Sequence, residues 1–273
     1  MSHYFEPLPA AESSDLSPLS VELAGRLVRV ATAPGVFSHR RLDLGTQVLL
    51  RTEARLGGAG TASYNGPSLP AGPPVSRAAW ASADSREDEP ATAAATPGIP
   101  RDDAGRPSPS PTAAPDHADR PSPGPAAATY GAGANLLDLG CGWGPIALTL
   151  GLANPEATVW AVDANPRALD LTRRNAASLG LRNVRAAPPE DVDGALRFEL
   201  IWSNPPIRIG KAALRSLLRD WLGRLAETGH ADLVVQKNLG ADSLARWLSA
   251  EAGFPTVKLA SAKGYRVLRS IAS

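Results

Sequence analysis

Cysteine occurs once in the 273 residues, at Cys141, so no disulfide can form within the chain and no cysteine-built metal site is available. Histidine is almost as scarce. His3, His39, His117 and His230 form no cluster, and neither a catalytic metal nor a Ser-His-Asp arrangement is expected. No unbroken apolar stretch approaches membrane-spanning length. The start, Met1-Ser2-His3-Tyr4-Phe5-Glu6, lacks the basic and apolar regions of a signal peptide. The expectation is a soluble, cytoplasmic protein without a membrane partner. The four lysines stand against 24 arginines, a bias that with the abundant alanine says more about genome composition than about function. The formal net charge is only +1, yet residues 204–273 hold eleven Lys or Arg against five Asp or Glu. Such a local excess suits either a nucleic-acid partner or a solvated helix face.

Large aliphatic residues are missing from one long segment. Residues 57–130 contain fourteen prolines, no lysine, and only Leu69, Val75 and Ile99 among the large aliphatics. A segment so poor in apolar area cannot offset the entropy of ordering its backbone, so disorder is expected. Loop closure entropy grows slowly with length, which lets such an insertion interrupt a fold. An inert insertion is the simpler reading, and a tether or a segment binding another protein the alternative. The chain therefore divides into an N-terminal extension, 1–56, an insertion, 57–130, and a core, 131–273.

Within the core, apolar strands alternate with amphipathic helices. Strands are expected over 135–139, 157–162, 183–186, 198–202 and 231–235, with helices near 144–153, 165–179, 211–225 and 241–252. Leu214, Leu217, Leu218, Trp221 and Leu222 fall at i, i+3, i+4, i+7 and i+8, one face of a helix packed on a sheet. Two last strands, 256–260 and 265–271, are joined by the turn at Ala262-Lys263-Gly264, which makes them antiparallel. In the extension, 21–32 carries one or two strands, and Val48 to Leu50 reads as a turn of a core helix. The alternation implies a Rossmann-like three-layer α/β/α sandwich, its sheet mostly parallel and seven-stranded, ending in an antiparallel pair.

Three strand ends carry the chemistry. The first is Asp138-Leu139-Gly140-Cys141-Gly142-Trp143-Gly144, a glycine-rich turn between strand and helix. The second is Asp163, 25 residues beyond Asp138, about one β-α-β unit later, where a carboxylate can accept from ribose hydroxyls. The third is Ser203-Asn204-Pro205-Pro206. In this order and spacing they resemble a class I S-adenosylmethionine-dependent methyltransferase. More narrowly, the chain resembles the small-domain methyltransferases that include the bacterial 16S ribosomal RNA guanine-N2 enzymes, from about Val36 through Leu268. Asp-x-Gly-Cys-Gly-x-Gly is the methyltransferase pattern, as opposed to the dinucleotide pattern Gly-x-Gly-x-x-Gly.

The resemblance implies S-adenosylmethionine as cofactor. It assigns Asp138, Gly140, Cys141, Gly142 and Gly144 to the loop around it, Asp163 to the ribose, and Ala164 and Asn165 to the adenine. Glu190 or Asp191 meets the adenine amino group, Phe37 and Thr46 cover the methionine side, and Asn204 also borders the cofactor. Asn204 and the Pro205 carbonyl resemble the family's paired acceptors for an exocyclic amino group, with Pro206 stiffening the loop. Ile207 stands where the family's nucleic-acid enzymes usually carry an aromatic, losing a stacking contribution of roughly 1–3 kcal/mol per base. Arg208, Lys211 and Arg215 are candidates for gripping phosphate, and so is Lys237 at a strand end. Trp143 and Trp202 read as packing residues. The implied substrate is the N2 amino group of guanine in ribosomal RNA. The rivals are a protein glutamine amide, a small-molecule amine, or a non-catalytic S-adenosylmethionine-binding interaction protein.

Overall fold

A computed structural model describes residues 9–55 and 130–272, which belong to one compact unit. The expected disordered insertion lies outside the described residues, except for Tyr130. That side chain is buried in the core, and its backbone N–H donates to Asn154 Oδ1 at 3.1 Å, so Tyr130 belongs to the core.

In chain order the elements are β1 (Ser17–Leu23), β2 (Arg26–Thr32), α1 (Leu44–Arg55), β3 (Asn135–Leu139), α2 (Pro145–Ala153), β4 (Thr158–Val162) and α3 (Pro166–Ser178). There follow β5 (Val184–Ala187), β6 (Phe198–Ser203), α4 (Lys211–Leu222), β7 (Leu225–Gln236), α5 (Ala241–Ala250), β8 (Thr256–Ala262) and β9 (Tyr265–Ile271). The β1–β2 pair is a separate antiparallel hairpin. The other seven strands form one sheet in the order β5-β4-β3-β6-β7-β9-β8, parallel from β5 to β7 and antiparallel at β7–β9 and β9–β8. This is the expected sandwich. Boundaries differ most at β7: Gly223 closes α4, and the strand starts at Leu225, where the sequence pattern extends the helix.

Side chains alternate between the sheet's faces, as a strand's period of two requires. Leu137 and Leu139 of β3, with Leu233 and Val235 of β7, pack under α4 and α5. Leu136 of β3 and Val234 of β7 pack with Val48 and Leu49 of α1 and Ile146 of α2 on the other face. The hairpin docks outside α2 and α3, where Asn175 of α3 exchanges hydrogen bonds with the backbone of Ala31 at 2.7 and 2.9 Å.

Strand order reverses between β3 and β6. The chain runs outward through β4 and β5, then returns to the opposite side of β3. In an open α/β sheet that reversal leaves a crevice beyond the carboxyl ends of the two strands. The glycine turn follows β3, and Asn204-Pro205-Pro206 follows β6. Among the described residues no helix is long and apolar enough to cross a membrane, and no group of three or more His, Cys, Asp or Glu side chains suits a metal ion.

Candidate active site

Two adjacent strand ends are tied together before any ligand is considered. The Ser203 hydroxyl donates to the Leu139 carbonyl at 2.6 Å, closing the end of β6 onto that of β3. The glycine turn then folds back on β4, where the N–H groups of Gly140 and Cys141 both donate to the Val162 carbonyl, at 2.8 and 3.0 Å. A Cβ on Gly140 would sit 3.9 Å from Pro206 Cδ, and one on Gly142 3.8 Å from Val36 Cγ1. Both glycines have positive φ, +82° and +58°, which favours the absence of a side chain. The glycine turn, the Asn204-Pro205-Pro206 loop expected at the transfer site (the transfer loop) and the N-terminal segment therefore meet at one place.

Asp138 lies wholly beneath this turn. Its Oδ2 accepts from the Ala147 N–H at 2.9 Å, satisfying one orphan donor of the first turn of α2. Burial pushes its pKa up to about 8, with the Asp163 charge adding and the Ala147 N–H opposing. Its Oδ1 is buried without a hydrogen-bond partner. Asp163 Oδ2 accepts from Gly142 N–H at 2.9 Å and Oδ1 from Asn165 N–H at 2.9 Å. Burial raises the Asp163 pKa, against these backbone donors and that of Ala164. Burial also pushes the Cys141 thiol well up, so it is a small neutral packing group, within 3.6 Å of Thr172 Oγ1.

Asn165 is a finding of a different kind. Its Oδ1 caps α3 by accepting from Arg167 N–H at 3.0 Å, and its Nδ2 donates to the Gly35 carbonyl at 3.1 Å. The side chain is thus committed to a helix cap and to anchoring the N-terminal segment. Its backbone is engaged as well, the carbonyl accepting from Ala168 and Leu169 N–H at 3.0 and 3.2 Å.

At the transfer loop, Asn204 Nδ2 donates to Asp43 Oδ2 at 2.7 Å and to Thr46 Oγ1 at 3.2 Å. Asp43 precedes α1 and also accepts from Thr46 N–H at 3.1 Å through Oδ2. The proline carbonyls are partly engaged within the loop itself. The Pro205 carbonyl accepts from Ile207 N–H at 2.8 Å and the Pro206 carbonyl from Ile209 N–H at 3.1 Å. The missing proline N–H groups allow a tight 3₁₀ turn, Ile207–Ile209, that uses those oxygens; each keeps one lone pair.

Other expected residues fall on the rim. Phe37 is 56% exposed. Ile207 is half-buried, whereas Lys211, Lys237, Glu190 and Asp191 are exposed. Glu190 and Asp191 follow β5, and the lysines follow β6 and β7, so the carboxyl edge is acidic at one end and basic at the other. The Arg208 side chain falls outside the described residues. The Arg215 guanidinium lies 4.9 Å from the Trp247 ring centroid and 3.8 Å from Glu251 Oε2. Trp143 and Trp202 are fully buried packing residues, as expected.

Two features were missed in the sequence. One is Asp43, which an Asp three residues before Thr46 and ahead of an apolar run signals as a helix cap. The other is a row across the sheet in which Asp138 pairs with Trp202, Trp202 with Asp232, and Asp232 with Arg269. Arg269 reaches both Asp232 oxygens, at 2.7 and 2.8 Å, and Glu53 Oε2 of α1 at 3.0 Å. Trp202 Nε1 donates to Asp232 at 3.1 Å. No local pattern joins residue 53 to 269.

The geometry defines a class of protein: a three-layer α/β sandwich whose glycine turn and Asn204-Pro205-Pro206 loop meet at the sheet's switch point. The Methyltransferase small domain family model matches residues 127–269, and the chain belongs to that family of S-adenosylmethionine-dependent methyltransferases. The chain is 34% identical over 139 residues to uncharacterized protein YbxB of Bacillus subtilis, covering 50% of this chain and 68% of that one. A release factor glutamine methyltransferase of Burkholderia pseudomallei is 41% identical over 80 residues, 26% of this chain and 28% of that protein. The one from Neisseria gonorrhoeae is 30% identical over 149 residues, covering 45% and 54%. Among solved structures, the T. Thermophilus 16S rRNA N2 methyltransferase in complex with AdoMet and guanosine superimposes with a TM-score of 0.57 at 18% identity. That match spans 98% of this chain and 52% of the other, and is a likeness of fold.

The residues present fit the cofactor. The orphaned Asp138 Oδ1 is a buried polar atom without a partner beneath the turn, and the glycine turn is a cradle that side chains would narrow.

Proposed function

We propose that this methyltransferase acts on a planar amino nitrogen, and that the acceptor is the side-chain amide of a protein glutamine. The observation that carries the reading is the Asn204 amide: with Nδ2 held by Asp43 and Thr46, its Oδ1 is left as an acceptor beside the remaining lone pair of the Pro205 carbonyl. Two acceptors at one place suit an NH₂ group, whose two N–H bonds they receive. Drawing both N–H bonds out of conjugation localises the nitrogen lone pair and stabilises the positive charge that grows there. S-adenosylmethionine, when bound, supplies an electrophilic methyl group on a positively charged sulfur. The nitrogen–methyl bond forms as the methyl–sulfur bond breaks, the neutral thioether S-adenosylhomocysteine leaves, and the acceptor nitrogen releases one proton to solvent. Asp138, the glycine turn and Asp163 hold the cofactor side; Thr46 and Phe37 border it from the N-terminal segment.

Glutamine amide and guanine N2 share this chemistry. Relatives named release factor glutamine methyltransferases support the first, in matches covering a quarter to a half of their length. Ile207, an aliphatic where base stacking would use a ring, agrees. The second reading, guanine N2 in ribosomal RNA, is favoured by one observation: the exposed Lys211, Lys237 and Lys263 at the carboxyl edge near the transfer loop, suited to phosphate. Transfer of labelled methyl from S-adenosylmethionine to ribosomal RNA, intact small subunits and total protein, assayed in parallel, decides between them. Label in protein, recovered as methylglutamine on digestion, is the expected result. Label in N2-methylguanosine would replace it with the second reading.

A further inference from the structure

Asn204 can serve as an acceptor only if its amide faces the right way. Oxygen and nitrogen of an amide are nearly the same size, so packing alone does not choose between the two orientations. Asp43 does choose. A carboxylate only accepts, and its Oδ2 stands 2.7 Å from the Asn204 amide, so Nδ2 must face it. Turned over, Asn204 would place its carbonyl oxygen against a carboxylate oxygen with no proton between them.

The surroundings hold Asp43 in that place from several sides. Its Oδ2 also accepts from Thr46 N–H, and its backbone carbonyl from Gln47 N–H at 2.9 Å. Gln47 Nε2 donates back to the Leu42 carbonyl at 2.8 Å. Gly45 matters here: a Cβ would lie 2.9 Å from both Asp43 Oδ2 and Tyr265 Cε1, so the carboxylate's position depends on a bare residue two along. The far end of α1 is fixed independently, by Glu53 on Arg269. The helix is thereby pinned at both ends, across β6 and β9.

We propose that Asp43 is the positioning residue that sets the orientation of the Asn204 amide, and so directs its Oδ1 toward the methyl acceptor. The effect on turnover rests on the acceptor reading above; the effect on the Asn204 amide does not. Thr46 supplies a second acceptor to the same Nδ2, and Asp43 alone dictates the sense.

The test separates this role from simple helix capping. Asn is as good a cap as Asp, so D43N keeps α1 while offering Asn204 a partner that accepts or donates equally well. The first measurement is hydrogen exchange of the Asn204 side-chain amide by ¹⁵N NMR on the full chain, its signals identified by their loss in N204D. Both protons are expected to be protected in the native protein and to exchange at least about tenfold faster in D43A. The second is turnover on whichever fraction accepts label. D43N is expected to lower kcat about 10- to 100-fold, with cofactor affinity and Tm unchanged. N204D places two carboxylates together and should abolish turnover; the double variant D43N/N204D restores a donor–acceptor pair and should recover part of it. A capping role predicts none of this rescue. Native kcat in D43N, or equal amide exchange in native protein and D43A, would overturn the proposal. If no fraction accepts label, the acceptor reading falls and the amide exchange alone decides the role of Asp43.

Discussion

Asp163, at the end of β4, accepts the backbone N–H of Gly142 at 2.9 Å, so the carboxylate assigned to the ribose is also what holds the glycine turn in shape. The second oxygen holds Asn165. With the Ala164 N–H also directed at the carboxylate, one of its four acceptor sites is left for a hydroxyl donor. Asp163→Ala removes the ribose acceptor and the loop anchor together. S-adenosylmethionine affinity is expected to fall at least about tenfold by calorimetry, since a charged acceptor is worth about 1.5–3 kcal/mol. Unchanged affinity would remove the ribose role.

Asn204 should behave oppositely. Asn204→Ala leaves the cofactor cradle intact and deletes one of the two acceptors. Cofactor affinity is expected to hold within about twofold while kcat falls by about 100-fold or more, the size of effect seen when a transition-state hydrogen-bonding group is lost. Full turnover in that variant would contradict the amino-positioning role.

Arg269 lies between Asp232 and Glu53, far from the transfer chemistry. Burial raises Asp232, yet the hydrogen bonds from Arg269 and His230 outweigh it and leave its pKa lowered. Arg269→Met strands the buried Asp232 carboxylate and leaves Glu53 without its partner. A loss of about 3–5 kcal/mol in unfolding free energy is expected from chemical denaturation. A change below about 1 kcal/mol would mean that the row contributes little.

Stability should also depend on pH in a definite direction. Burial, then the Asp232 charge, pushes Glu53 up to about 8 against the pull of Arg269, and Asp138 is also raised to about 8. Both folded-state values exceed the ordinary 4.5 and 3.8, so between these limits the folded protein binds more protons than the unfolded chain. Their contribution is fully present below about pH 4 and is lost as pH rises through about 8. Asp232, lowered, contributes the opposite slope at the acid end. Tm measured from pH 5 to 8 is expected to fall, and to fall less in Glu53→Gln. A flat profile in both proteins would refute the assignment.

Much of the site was legible because its signals are local. Strand, glycine turn and helix are read from a few consecutive residues, and Asp138, Asp163 and Asn204 each stand where a strand ends. Periodicity also placed the seven strands, since each buries alternate side chains against helices. The rim residues Lys211 and Lys237 were legible as charges, but what they face is not a local property.

What the sequence by itself determined is the order of the strand ends and the residue types that stand there, because spacing and periodicity act over tens of residues. Only the tertiary structure decided how those residues are used. Asp43 and Asn204 are 161 positions apart, on either side of the insertion, and no local pattern shows that one orients the other. The Pro205 carbonyl, expected as an acceptor, is partly taken up by the turn that the prolines themselves permit. Asn165, expected at the adenine, spends its side chain on a helix cap and the Gly35 carbonyl. The physical reason is common to all three: a polar group has few lone pairs and protons, and the folded chain assigns them before any substrate arrives.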